Sequence, residues 1–305
     1  TFNKQLIPAM NLTVNAGASA FLHRFEQYYN ATDGIIVPEV YSLNNTKGNV
    51  KASTYVQKKA IRSVYGTMDI DVIDAFFLTF AARNDWSSTL PESNNSYFYP
   101  SVSLSTLVSN LVTLPSAIDY LKLYGSWAEV WADLAPRTSG NPYRIEGSGG
   151  LAAVAGYVNP YQIESYYSNV GSYNGLTMLT YPGGIVNPNI QPEKSTSYEL
   201  GLSTAFYGNR LGFDVTYYNV VDENQIINLP LSTATGFRSR KVNGNEYTTN
   251  GVEVVINAKP IRNNRFLWNV ALNWDHRVQK LTEIYGGENK YGNISLNERV
   301  DNYYS

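Results

Sequence analysis

The sequence predicts an all-β chain, a portion of an antiparallel transmembrane β-barrel. Three observations carry that expectation. Apolar and polar residues alternate in run after run, no apolar stretch reaches the ~20 residues of a membrane helix, and long and short connections alternate along the chain. Composition agrees: 25 of the 305 residues are Tyr, 11 Phe and 5 Trp, while only 16% are charged and the formal net charge is −2. Ordinary soluble proteins carry about 25% charged residues. A chain so poor in charge lacks the basic patch that nucleic-acid binding requires. Cys is absent, which excludes disulfides, thiolate metal sites and cysteine nucleophiles.

The strands follow in order. Leu12, Val14, Ala16, Ala18 and Leu22 alternate with Asn11, Thr13, Asn15 and Ser19. Segments near 56–70 and 74–84 come next, the second placing Phe76, Leu78 and Phe80 on one parity. Residues 97–107 and 118–131 continue the series, with a helical spacing of Val102, Leu107, Val108 and Leu111 as the nearest competitor. Tyr198, Leu200, Leu202 and Phe206 then face Leu211, Phe213, Val215 and Tyr217 across a two-residue turn at Gly208-Asn209. That turn pairs Phe206 with Leu211, Leu202 with Val215 and Leu200 with Tyr217, all on one face. Further on, Val252, Val254, Ile256 and Ala258 precede Phe266, Trp268, Val270, Leu272 and Trp274. A turn over 260–264 pairs Ala258 with Phe266, Ile256 with Trp268 and Val254 with Val270. Trp268 and Val270 are expected to face lipid, and Asn269 and Asn273 the lumen. The total is about nine strands.

Connections run long (26–55), short (71–73), long (85–96), middling (108–117), long (132–193), short (207–210), long (223–248), short (260–264), then long from 281. Antiparallel neighbours send alternate connections to opposite ends. One end therefore carries tight turns and the other large loops, the pattern of an outer-membrane barrel with periplasmic turns and extracellular loops. Bacterial single-chain barrels use even strand numbers, and open sheet edges invite aggregation. An odd set of strands is thus expected to be part of a larger barrel.

Specific strings narrow this further. Residues 83–91 (RNDWSSTLP) and 97–103 (YFYPSVS) resemble the SusC/RagA family of TonB-dependent outer-membrane transporters. Residues 121–127 (LKLYGSW) are similar to that family's "LK-R-SYG" strand, with Tyr and Trp replacing the usual residues. Residues 187–201 (NPNIQPEKSTSYELG) are similar to its "NP-I-PE-T-EYELG" segment, and Asn209-Arg210-Leu211 and Asn250-Gly251-Val252-Glu253 match two more signatures. The resemblance implies a barrel of roughly 22 strands plugged by an N-terminal domain. Residues 1–305 then form part of the barrel, and the plug, the TonB-contacting box and the closing C-terminal strand have no counterpart in them. It implies import of nutrient oligomers, oligosaccharides or peptides, across the bacterial outer membrane. It also implies a SusD-like surface lipoprotein and the TonB complex as partners, with no nucleic acid and no cofactor. The alternatives are a surface-exposed structural or adhesive β-protein that binds glycan without transport, and a membrane-embedded hydrolase.

Catalytic chemistry finds little support. No Walker loop or Gly-x-Ser-x-Gly elbow occurs, and the two histidines, His23 and His276, read as polar strand-end side chains. Asp69, Asp71 and Asp74 surround a tight turn; solubilising it is the expected role, with calcium as the alternative. No catalytic or metal residue is therefore expected. The best binding candidates are Tyr157, Tyr161, Tyr166, Tyr167 and Tyr173 in the 132–193 segment, whose flat faces and hydroxyls suit sugar rings or peptide backbone. Some 62 residues without a clear strand form a loop long enough to be functional, and it is expected over the extracellular mouth.

Overall fold

The computed structural model describes residues 1–7, 9–133, 168–180, 183–291 and 294–297. The strands are β1 (Phe2–Ile7), β2 (Met10–Ala31), β3 (Lys51–Val72), β4 (Phe76–Ser87), β5 (Ser96–Leu107), β6 (Ile118–Ala132), β7 (Ser168–Tyr173), β8 (Leu176–Thr180), β9 (Gly184–Ile185), β10 (Glu193–Phe206), β11 (Leu211–Glu223), β12 (Ile226–Pro230), β13 (Ser239–Asn243), β14 (Glu246–Arg262), β15 (Leu267–Glu283), β16 (Lys290–Tyr291) and β17 (Ile294–Ser295). Ten of them form one antiparallel sheet in the order β1-β2-β3-β4-β5-β6-β10-β11-β14-β15. Neighbours in the sheet follow one another along the chain, as they do in a barrel wall. The expected count missed β1, which is short and pairs only with the lower part of β2, from Phe2–Val14 to Ile7–Met10.

Alternation sorts the side chains onto two faces, and the register lines like with like. One row runs Val14–Met68–Phe80–Val102–Trp127–Tyr198. Another runs Leu123–Leu202–Val215–Val254–Trp274. The opposite face carries Asn15–Thr67–Ala81–Ser101–Ala128–Ser197 and Lys122–Ser203–Asp214. An apolar face left exposed across ten strands has no place in water; burying it against lipid is the only favourable arrangement.

The β10–β11 register is as expected, with Phe206–Leu211, Leu202–Val215 and Leu200–Tyr217. Its turn is longer than the two residues expected: 207–210, with Tyr207, Gly208 and Asn209 all at positive φ and the Arg210 amide donating to the Phe206 carbonyl at 3.0 Å. The β14–β15 register differs from the expected one. Ala258 pairs with Val270, Ile256 with Leu272 and Val254 with Trp274, because β14 continues through Pro260 to Arg262. A bulge between Ala258 and Ile261 absorbs the proline, which has no N–H to give to a ladder. Asn263 makes the actual turn, its Oδ1 accepting from the Arg265 and Phe266 amides at 2.9 and 2.8 Å. The slip is an even number of residues, so each side chain keeps its expected face. The helical competitor also resolves: β5 runs through Leu107, and helix is confined to Val108–Leu111.

The short connections that join neighbouring strands of the large sheet lie at one end, where they bond to one another. The Ile73 amide donates to the Ala9 carbonyl (2.7 Å), Leu107 to Ala75 (2.7 Å), Tyr207 to Ala117 (3.0 Å) and Lys259 to Arg210 (2.7 Å). The other end carries the large loops. Connections expected to lack strands contain small sheets there: β7 with β8, β13 between β12 and β9, and β16 with β17.

Candidate functional site

The loop end is where buried side chains gather. Leu90, Tyr97, Ile190 and Ile226 form a buried cluster flanked by Tyr99 and Trp131. These residues come from the β4–β5 loop, β5, the approach to β10 and β12, so four separate segments share one small core. Hydrogen bonds reinforce it. Asn94 Nδ2 donates to the Asn189 and Ile190 carbonyls at 3.3 and 3.2 Å, and Glu193 Oε1 accepts from the Ile226 amide at 2.8 Å. Asn243 and Gln191 bond reciprocally, both at 2.8 Å.

The start of the β6–β7 connection is clamped by charge. Lys59 Nζ lies 2.6 Å from Asp133 Oδ1, and both side chains are more than nine-tenths buried. Ser87 Oγ and Thr89 Oγ1 donate to Asp133 Oδ2 at 2.5 and 3.0 Å. A buried ion pair is tolerated only when its remaining lone pairs are also satisfied, as here. This explains the string 83–91. Asp85 faces the lumen, Ser87 and Thr89 close the clamp, and Leu90 enters the core. In the sequence the string is legible only as a family signature; nothing local reveals that the clamp's Asp133 lies 44–46 residues away.

Below the clamp, the inward wall is a hydrogen-bonded surface. Arg83 bonds Asp85 Oδ1 (2.7 Å) and Ser63 Oγ (2.9 Å), and the Tyr99 hydroxyl donates to Asp85 Oδ2 (2.9 Å). On the neighbouring strands the Tyr124 hydroxyl donates to Asp214 Oδ1 (2.9 Å) and lies 2.6 Å from Thr216 Oγ1. A groove beside it is lined by Ser103, Ser105, Lys122, Ser126 and Ser203. Such a wall offers hydroxyls, one ammonium and carboxylates to a polar solute. Lys241 on β13, at the loop end, is partly buried, and desolvation lowers its ammonium below the usual lysine range.

Of the expected binding residues, Tyr157, Tyr161, Tyr166 and Tyr167 lie outside the described residues. Tyr173 ends β7, pairs with Leu176 across the β7–β8 turn and is 74% exposed. Asp69 accepts from Thr79 Oγ1 at 2.7 Å, a cross-strand contact on the lumen face, whereas Asp74 lies in the turn at positive φ. His23 and His276 stack on Phe21 and Trp274 respectively. They are far apart in the sheet, on β2 and β15.

A twisted antiparallel wall with one lipid-compatible face, one polar face, short turns below and pinned loops above defines a section of an outer-membrane β-barrel. The model of the family "TonB dependent receptor-like, beta-barrel" matches residues 1–303, and the chain belongs to that family. Its members are outer-membrane barrel proteins, receptors and transporters by class. The chain is 26% identical to TonB-dependent receptor P3 of Formosa agariphila over 298 residues, covering 95% of this chain and 27% of that protein. It is 21% identical to TonB-dependent receptor SusC of Bacteroides thetaiotaomicron over 253 residues, 81% of this chain and 23% of SusC. Among solved structures, the RagAB peptide transporter superposes with a TM-score of 0.81 at 18% identity, over 95% of this chain and 30% of that one. The chain thus spans about a quarter of the length of these curated relatives.

Proposed function

We propose that this chain supplies barrel wall and extracellular loops to a TonB-dependent importer of nutrient oligomers, oligosaccharides or peptides. The observation that carries the reading is the convergence of wall strand β5 and three segments from the loops on one buried cluster at the barrel mouth, above a polar wall. Loops pinned at their bases present a fixed platform to a solute and to a SusD-like lipoprotein lid. The hydroxyl-lined wall below then gives the solute a wet path. No covalent step is needed: capture occurs at the loops, and energy relayed through TonB rearranges a plug. The similarity to SusC and to the RagAB peptide transporter supports this reading without choosing between sugar and peptide. Tyr157, Tyr161, Tyr166, Tyr167 and Tyr173 remain the proposed substrate contacts.

The test replaces residues 140–185 with a short Gly/Ser linker in the full-length protein. Assembly is followed by heat-modifiable gel mobility, and import by uptake of labelled oligosaccharides and peptides. Intact assembly with lost uptake or lost lid docking supports the proposal. Normal uptake would refute a functional loop, and surface binding without any uptake by the unaltered protein would favour an adhesin.

A further inference from the structure

We infer that the outward face of β2–β4, at the loop-side edge of the apolar band, is a binding site for the phosphate-bearing headgroup of a membrane lipid. On β3 the outward residues run Val72, Ile70, Met68, Gly66 and Val64, and then change abruptly to Arg62 and, past Ala60, Lys58. The eight steps from Val72 to Val64 cover ~26 Å along the strand. At the usual tilt of 35–45° that is about 20 Å of height, close to the ~25 Å of a barrel's lipid-facing band. Arg62 therefore stands where acyl chains give way to headgroups.

The register builds a pocket around it. Arg62 pairs with Ala20 on one side and Trp86 on the other. Ala18, Ala20, Arg62, Val64 and Trp86 line a mainly apolar concavity, where two alanines leave room beside the indole. Two repeats of the pleat further out, past the Leu22–Ala60 pair, Arg24 sits directly opposite Lys58. Like charges placed opposite each other on a sheet repel. Among the described residues Glu26 is the only carboxylate bonded into the patch; Arg24 donates to it, and Lys58 contributes to holding its carboxyl ionised. Three cations face one anion, and Arg62 has no hydrogen-bond or ion-pair partner among the described residues. Elsewhere on the same face a cation is neutralised internally: Lys194 lies 2.9 Å from Glu223 and 3.6 Å from Glu129.

An unpaired guanidinium, two opposed cations that share one carboxylate and an apolar trough below them fit a phosphate with acyl chains attached. The guanidinium fork matches phosphate oxygens, and the trough takes a chain against Trp86. A free phosphate would leave that trough unused. The inference needs only that this face meets the membrane, so it stands whether or not the importer reading does.

The test uses full-length protein in nanodiscs of phosphatidylcholine doped with lipid A or with its dephosphorylated form, and bound lipid is counted by native mass spectrometry. The unaltered protein should retain the phosphorylated form, and Arg62→Gln with Lys58→Gln should cut retention about tenfold. Lys4→Gln, on the same face at the short-turn end, should leave it unchanged. If the double variant fails to assemble, Ala60→Glu, which sets a carboxylate between the two cations, should give the same loss. Equal retention by the variants, equal retention of the dephosphorylated lipid, or displacement by inorganic phosphate alone would each overturn the inference.

Discussion

Tyr124 covers Gly201, its register partner on β10, so closely that a Cβ added at Gly201 would fall 2.1 Å from the phenol Cζ. The same arrangement recurs on the lumen face at Tyr65 over Gly17 and Tyr218 over Gly251, where the added Cβ would fall 2.6 and 2.3 Å away. Covering a strand glycine with an aromatic ring restores packing that glycine forgoes and fixes the register. Gly201→Ala is therefore expected to cost about 1–3 kcal/mol through overpacking. Tyr124→Ala removes the clash but also the bonds to Asp214 and Thr216, so the double variant should lose less than the sum of the two. Urea titration of the full-length protein in lipid vesicles reads all three.

The Lys59–Asp133 clamp makes a second expectation. Lys59→Met leaves a buried carboxylate without its cation, and breaking such pairs costs about 3–5 kcal/mol. Because the pair ties the loop base and not the membrane band, the loss should appear as faster protease cleavage near residue 133 with barrel mobility unchanged on gels. Lys59→Met with Asp133→Leu should recover most of the protection.

The two faces of β5 should differ sharply in their tolerance of charge. Leu104 is outward and half-exposed, between Leu78 and Gly125, whereas Ser103 is inward, between Thr79 and Ser126. Leu104→Arg is expected to cost about 2–4 kcal/mol near the bilayer midplane and Ser103→Arg much less. Folding yield into vesicles against urea concentration measures both.

How much of this was legible depends on where the information lies. Alternation is local, so β2 to β6, β10, β11, β14 and β15 could be read directly, and their faces with them. Register needs the turn. Gly208-Asn209 marks its turn truthfully, but Pro260 mimics one and sits in a bulge, which displaced the expected β14–β15 pairing. The mouth was not legible, because its cluster joins Leu90, Tyr97, Ile190 and Ile226 across more than 130 positions of sequence. Asp133 carried no local signal at all. The tyrosine candidates rest on side-chain chemistry and loop length, and Tyr173 is the one of the five among the described residues.

The absence of Cys from these 305 residues makes the central claim directly measurable. Single cysteines replace Leu202 and Ser203, adjacent residues assigned to lipid and lumen, in full-length protein with any cysteine elsewhere removed. Each is probed in vesicles with a water-soluble maleimide and, after attachment of a fluorophore, with a quencher dissolved in the acyl chains. The wall assignment predicts that the cysteine at 202 resists the aqueous reagent and is quenched by the lipid-borne one, and that the cysteine at 203 does the reverse. Equal aqueous labelling of both, with no lipid quenching at 202, would contradict a membrane-spanning wall.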